Sequence, residues 1–215
     1  MRSMMPAPGR GVALFANSPQ YFVRQRLELG EIAFGFETRN KYEISDADGR
    51  PVAFCAEQQK GFIGMLLRQM LGHWRSFDLH FFDTSRAQAL IAHHPFRFFF
   101  QELHVTTPDG RPVGMLKRRW GWFTKRFDVL DANGMLRMEM KSGLLKVWTF
   151  PFFKGERQVA EIKKKWAGLV TEAFTDADNF AVTFADPGVT ADERSLVMAA
   201  AIFVDLIYFE RKARN

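Results

Sequence analysis

The most apolar stretch of the chain lies close to its end. From Leu196 to Phe209 fourteen residues run with Asp205 as the only non-apolar member. Glu193 and Arg194 precede the run, and Glu210, Arg211 and Lys212 follow it. Thr190 and Glu193 have the spacing of a capping box, which favours helix over strand. Fourteen helical residues rise about 21 Å, whereas a bilayer core is about 30 Å thick and takes about 20 apolar residues. Asp205 would add about 2.5 to 3.5 kcal/mol near mid-membrane. Nor is this a surface helix, because it has no polar face. The pattern predicts a helix over about 191–210 enclosed by protein on every side. Leu196, Ala199, Ala200, Phe203, Leu206 and Ile207 would be its core residues, and Ala199–Ala201 would let the surrounding wall come close.

Upstream the period changes to two. In "RMEMKS" Met138 and Met140 alternate with Arg137, Glu139 and Lys141, and in "NFAVTF" Phe180, Val182 and Phe184 share one face. Turn signals recur at Asp46–Gly49, Pro108–Gly110 and Asp131–Gly134. The string "DGRPV" occurs twice, at Asp48–Val52 and Asp109–Val113, each time joining strand-like runs such as "KYEIS" and "VAFCAEQ" or "ELHVT" and "VGMLKRRW". About a dozen short strands and one apolar helix predict a mainly β fold: a closed antiparallel barrel wrapped around its C-terminal helix. Closure removes exposed edges, and period-2 strands line the interior.

Composition narrows the setting. At 215 residues the chain suits one domain, and its 23 Phe supply bulky core side chains. Residues 1–20 read as a flexible Pro/Gly leader rather than a signal peptide, and 21–212 as the barrel domain. The net charge of +6 draws the protein toward acidic surfaces. Cys55 is the only cysteine, which excludes an intramolecular disulfide framework and fits a reducing compartment.

Two long strings carry a family likeness. "GFETRNKYEI" (Gly35–Ile44) with "VAFCAE" (Val52–Glu57), and "EAFTDADNFAVTF" (Glu172–Phe184) followed by the apolar helix, resemble the opening and closing signatures of the phospholipid scramblase family. The resemblance covers about Tyr21 to Phe209. It implies a Tubby-like barrel of twelve strands around a hydrophobic helix, and calcium-activated, energy-independent movement of phospholipid between leaflets. Members are membrane-attached, lipid-binding and in some cases nuclear. The cysteine cluster that carries palmitoyl chains in animal members has no counterpart here.

Four stretches are candidate sites. The resemblance places a calcium loop from Asp176 onward; Asp176 and Asp178 fill the first and third ligand positions of an EF-hand template, and Asp186 is a further candidate ligand. Against an EF-hand template, however, Phe180 holds the fifth position, Ala181 replaces the turn glycine, and Pro187 stands where a bidentate Glu belongs. The other reading is a solvated turn before a strand. In "GFIGMLLRQMLGHW" (Gly61–Trp74), Ile63, Leu66, Leu67, Met70 and Trp74, with Phe62 beside them, oppose Arg68, Gln69 and His73. That suits an interfacial membrane helix, or a plug for one barrel mouth. In "LKRRWGWFTKRF" (Leu116–Phe127), Lys117, Arg118, Arg119, Lys125 and Arg126 interleave with Trp120, Trp122 and Phe123. Such a mixture suits an anionic phospholipid membrane or a single-stranded nucleic acid, or else two strands with aromatics inward and charges outward. "IKKKW" (Ile162–Trp166) lies where the family has a proposed nuclear-import segment, and reads equally as a wet strand edge.

Catalytic signatures are missing. The five histidines, His73, His80, His93, His94 and His104, show no zinc spacing, and no phosphate-binding loop or nucleophile elbow occurs. The expectation is a non-enzymatic, scramblase-like protein on the cytoplasmic, inner face of the membrane. The alternative is a soluble Tubby-like module that binds phosphoinositide without moving lipid.

Overall fold

The computed structural model describes residues 13–26, 38–58, 76–96, 100–120, 124–143, 148–165 and 179–209. Twelve strands follow one another along the chain: β1 (Gln20–Gln25), β2 (Thr38–Asp46), β3 (Pro51–Gln58), β4 (Phe77–Asp83), β5 (Gln88–His94) and β6 (Glu102–Thr106), then β7 (Pro112–Arg119), β8 (Thr124–Asp131), β9 (Leu136–Gly143), β10 (Thr149–Lys154), β11 (Arg157–Lys165) and β12 (Asn179–Phe184). Helix α1 (Ala191–Val204) comes last and winds down through a π turn, Asp205–Phe209. Each strand is antiparallel to the next, and β1 closes the sheet by pairing with both neighbours, Tyr21 opposite Asp46 of β2 and Val182 of β12.

An up-and-down barrel places its connections alternately at two rims. At the first rim the β2–β3, β4–β5 and β8–β9 turns share one design. The carbonyls of Asp46, Asp83 and Asp131 each accept the N–H three residues on, and each Asp Oδ1 accepts the N–H four residues on, at 2.9 to 3.0 Å. Gly49 and Gly134 take the required left-handed conformation, and in the Asp83 turn Arg86 takes it with φ 66°. That turn contains no glycine, so sequence signals do not announce it. The second "DGRPV" uses Thr107 in place of the Asp.

The helix enters the barrel from this rim. Thr190 and Glu193 form the expected capping box, with Thr190 Oγ1 accepting from the Glu193 N–H and Glu193 Oε2 accepting from the Thr190 N–H. Glu193 also meets Arg137 of β9 at 3.1 Å and Lys154 of β10 at 2.8 Å. Burial alone would raise its carboxyl; Lys154, the Thr190 N–H and Arg137 more than offset that and hold it below 4.5. Arg194 donates to the carbonyls of Val189 and Ser18 and covers the Phe184 ring, pinning the approach to β1. Phe15, within the expected leader, is fully buried edge-on against Tyr21 and Phe81. The packed domain thus takes in chain upstream of β1.

Inside, Leu196, Ala199, Ala200, Phe203, Leu206 and Ile207 are all at most 8% exposed. They meet inward residues of the strands in one continuous core. The wall comes closest at Gly114 (φ 154°), where a Cβ would run into the Leu130 carbonyl and Leu196. Small residues on both surfaces therefore permit the approach, which the alanines alone did not reveal. Among the described residues no helix is long and apolar enough to cross a membrane.

Ten or more buried helix side chains at roughly 1.5 to 3 kcal/mol each exceed the whole stability of a typical domain. Removing everything after Gly188 should leave an insoluble or molten chain, read by loss of a cooperative melting transition. A folded, soluble truncation would show that the helix is dispensable. The cap makes a second prediction. A carboxyl held below its ordinary value stabilises at pH above that value and loses this as pH falls through the depressed range. Glu193→Gln should therefore lower Tm at pH 7, and the gap to the parent should shrink below about pH 4. A pH-independent gap would assign the loss to packing.

Candidate functional site

At the opposite rim, where the helix ends, the inward faces of the strands change character. Deeper in the barrel they are apolar, but their last positions carry polar groups. Gln25 donates to Asn40, and Asn40 donates to the buried carboxylate of Glu57 at 2.6 Å. His94, fully buried, packs on Phe77 and Phe203 while Nδ1 meets the Glu102 carbonyl. Ser142 donates to the Thr149 carbonyl. This polar collar surrounds the helix end.

Asp205, the interruption in the apolar run, is held by that collar. Its Oδ1 lies 3.2 Å from Lys164 Nζ and its Oδ2 accepts from the Tyr42 hydroxyl at 3.0 Å. Lys164 also stands 5.0 Å from the centre of the Phe180 ring. Burial first, and then the charge of Asp205, push the Tyr42 phenol well above 10, so it stays a donor. A charge taken out of water is tolerable only with such partners.

The basic and aromatic stretch of residues 116–127 divides between two faces. Arg118 follows the buried Leu116 at strand period and turns inward on β7; Lys125 does the same on β8 ahead of Phe127. Lys125 Nζ lies 4.7 Å from the Tyr208 ring centre and 5.1 Å from that of Phe150. Lys117, Arg119 and Arg126 turn outward, where they meet Glu102 (3.6 Å), Asp128 (2.8 Å) and Glu139 (2.7 Å). Strand parity thus splits the cations of this stretch between the two faces, so they are not all outward, and cross-strand carboxylates offset the outer half.

Trp120 is 66% exposed at this rim, and Phe96 and Phe100 are 42% and 49% exposed on the neighbouring β5–β6 connection. The two phenylalanines were missed in the sequence, although "PFRFFF" holds four Phe with no alternation to bury them. Phe62, Ile63, Leu66, Leu67, Met70, Trp74, Trp122, Asp176 and Asp178 lie outside the described residues. The strand ends that their segments join, Gln58 and Phe77, Arg119 and Thr124, Lys165 and Asn179, all belong to this rim.

Asp186 does not. It follows the far end of β12, about 17 Å of extended strand from Asn179, pairs with Arg157 and accepts the Gly188 N–H at 2.8 Å. Phe180, at the fifth template position, is buried in a strand paired on both edges. Residues from Asn179 onward therefore do not fit an EF-hand loop, and Asp186 leaves the candidate calcium set. Among the described residues no group of three His, Cys, Asp or Glu could hold a metal ion.

The protein is thus, by class, a closed antiparallel barrel plugged by its own C-terminal helix, with aromatic and cationic groups at one rim. The Scramblase family model matches residues 2–211, and the chain belongs to that family. Phospholipid scramblase 1 of Mus musculus is 30% identical over 96% of this chain and 68% of its own length. Phospholipid scramblase 1 of Homo sapiens is 30% identical over 96% of this chain and 70% of its own. Altered inheritance rate of mitochondria protein 25 of Saccharomyces cerevisiae is 22% identical over 93% and 73%. No solved structure matches.

Replacing Lys164 by Met should strand the Asp205 carboxylate and cost about 3 to 5 kcal/mol in chemical denaturation. Joining Asp205→Leu to it should recover most of that loss. If the double variant is no more stable than the single one, the pair is not what anchors the helix end.

Proposed function

We propose that this chain is a phospholipid scramblase-like protein that attaches peripherally to anionic phospholipid on the inner face of the membrane. There it assists energy-independent lipid movement between leaflets. The carrying observation is the convergence at one rim of exposed Trp120, Phe96 and Phe100 with Arg118 and Lys125. Family membership and relatives named phospholipid scramblases support the same reading. Two structural facts limit how lipid could move. Among the described residues the lumen is filled by the helix and the core around it. The outward faces of β2, β9 and β11 carry Lys41, Glu43, Arg137, Glu139, Lys141, Glu161 and Lys163, which is not a lipid-facing band. Lipid movement is therefore assigned to the rim, where inserted aromatic side chains disturb headgroup packing and cations hold the protein down. Calcium has no assigned role in this proposal.

The test is dithionite quenching of a fluorescent phospholipid in liposomes carrying the purified chain. The expected result is quenching beyond the outer-leaflet half, reduced by Trp120→Ala combined with Phe96→Ala. Binding should require anionic lipid and weaken from low to physiological salt, because the charges act through a Debye length of about 8 to 10 Å. Binding without transfer would leave a lipid-binding adaptor, and equal binding to neutral and anionic vesicles at all salt concentrations would remove the electrostatic attachment.

A further inference from the structure

A cavity of about 290 Å³ opens at the entry rim between β9 and β10. Two features of the sheet make room for it. Val129 of β8 pairs with Met138 and Leu130 with Leu136, so Arg137 is an extra residue on β9 with none opposite it on β8. Such a bulge bends its strand and re-aims the side chain. Across the seam, β9 and β10 pair at Met140–Phe152 and Glu139–Phe153 and no further toward the rim. Leu136, Met138 and Phe153 give the cavity apolar walls, and Leu136 and its chain neighbour Met135 are exposed.

Arg137 and Lys154 line the same cavity. Glu193 fixes both, Arg137 through Nε at 3.1 Å and Lys154 through Nζ at 2.8 Å. The Arg137 Nη1 and Nη2 groups have no acceptor among the described residues. Lys154 gives Glu193 one of its three N–H groups. Glu139, also in the lining, is engaged by Arg126 at 2.7 Å and by Lys141 at 2.6 Å. Arg137 and Lys154 together exceed the Glu193 carboxylate by one positive charge.

We propose that this cavity binds a medium-chain fatty carboxylate, its head on Arg137 and Lys154 and its tail along Leu136, Met138 and Phe153. The open Nη1–Nη2 edge of Arg137 is a planar fork that matches two carboxylate oxygens. One excess charge matches a monoanion. The volume lies at the small end of the range for ligand sites, which suits one short tail and not a two-chain lipid. This rim is opposite the one assigned to the membrane, so the ligand arrives from water and the inference does not rest on that assignment. The competing role for Arg137 and Lys154 is to anchor Glu193 and nothing more. That role concerns stability and has no preference for a tail or a charge.

The experiment titrates the full chain with decanoate by calorimetry, below the micellar range, and follows the methyl signals of Met135 and Met138 by NMR. Saturable binding that moves both signals is expected. From butanoate to octanoate the affinity should rise about twofold to fourfold for each added methylene. Decyltrimethylammonium has the same tail with the opposite charge and should not compete. Arg137→Lys keeps the charge and the Glu193 pair but loses the fork, so decanoate affinity should fall about tenfold. Leu136→Ser changes an exposed side chain, so Tm should hold while decanoate affinity falls. Arg157→Gln removes a charge at the same rim outside the cavity lining and should leave the affinity unchanged. Methyl signals unmoved at millimolar decanoate overturn the site, as does undiminished affinity in both Arg137→Lys and Leu136→Ser. Equal binding of decyltrimethylammonium overturns the carboxylate as the recognised group. An equal loss in Arg157→Gln reduces the effect to the general charge of the rim and overturns the assignment to Arg137.

Discussion

The helix from Ala191 to Val204 has no polar face, and everything else in the structure answers to that constraint. An open sheet can cover only one side of such a helix, and a second layer would leave edges exposed. A closed sheet covers all sides at once and satisfies its own backbone groups. The barrel and the helix are therefore one core rather than two parts. The inward apolar faces of the strands and the apolar sides of the helix fill one another, and Gly114 marks where the wall needs a missing side chain to come close.

Enclosing a helix leaves two ends to be dealt with, and the protein treats them differently. At entry, Glu193 combines the capping box with Arg137 and Lys154, so one carboxylate joins the helix start to two strands. At exit, the final turn widens into a π turn beginning at Asp205, and Lys164 of β11 and Tyr42 of β2, with β12 and β1 between them in the wall, hold that residue. Buried charge at both ends fixes the axial position of a helix whose sides could otherwise slide against apolar neighbours.

This asymmetry also sorts the surface. The entry rim is made of tight turns whose polar groups serve their own backbones. The exit rim receives the other connections, the exposed Phe96, Phe100 and Trp120, and the inward cations Arg118 and Lys125. Among the described residues the barrel is filled along its axis, which is why the proposed action on lipid is assigned to this end.

Much of this was legible in the residues. The apolar run was too short and too enclosed by charge for a span, Thr190 and Glu193 announced the cap, and period-2 strands with recurring Asp–Gly turns announced the barrel. These signals are local, because a helix or a strand shows its period within a few residues. Where the candidate site divides was not legible. Arg118 and Arg119 are neighbours in the chain, yet one faces the barrel mouth and the other an acid on the outer surface. Asp186 follows shortly after Asn179 in sequence, but β12 carries it to the rim opposite Asn179. The sequence by itself determined that one helix had to be enclosed and that short strands would enclose it. Which charges point inward, which acids neutralise the rest, and which loops share a rim depend on strand parity and closure. Those are relations between distant segments, and only the tertiary structure decided them.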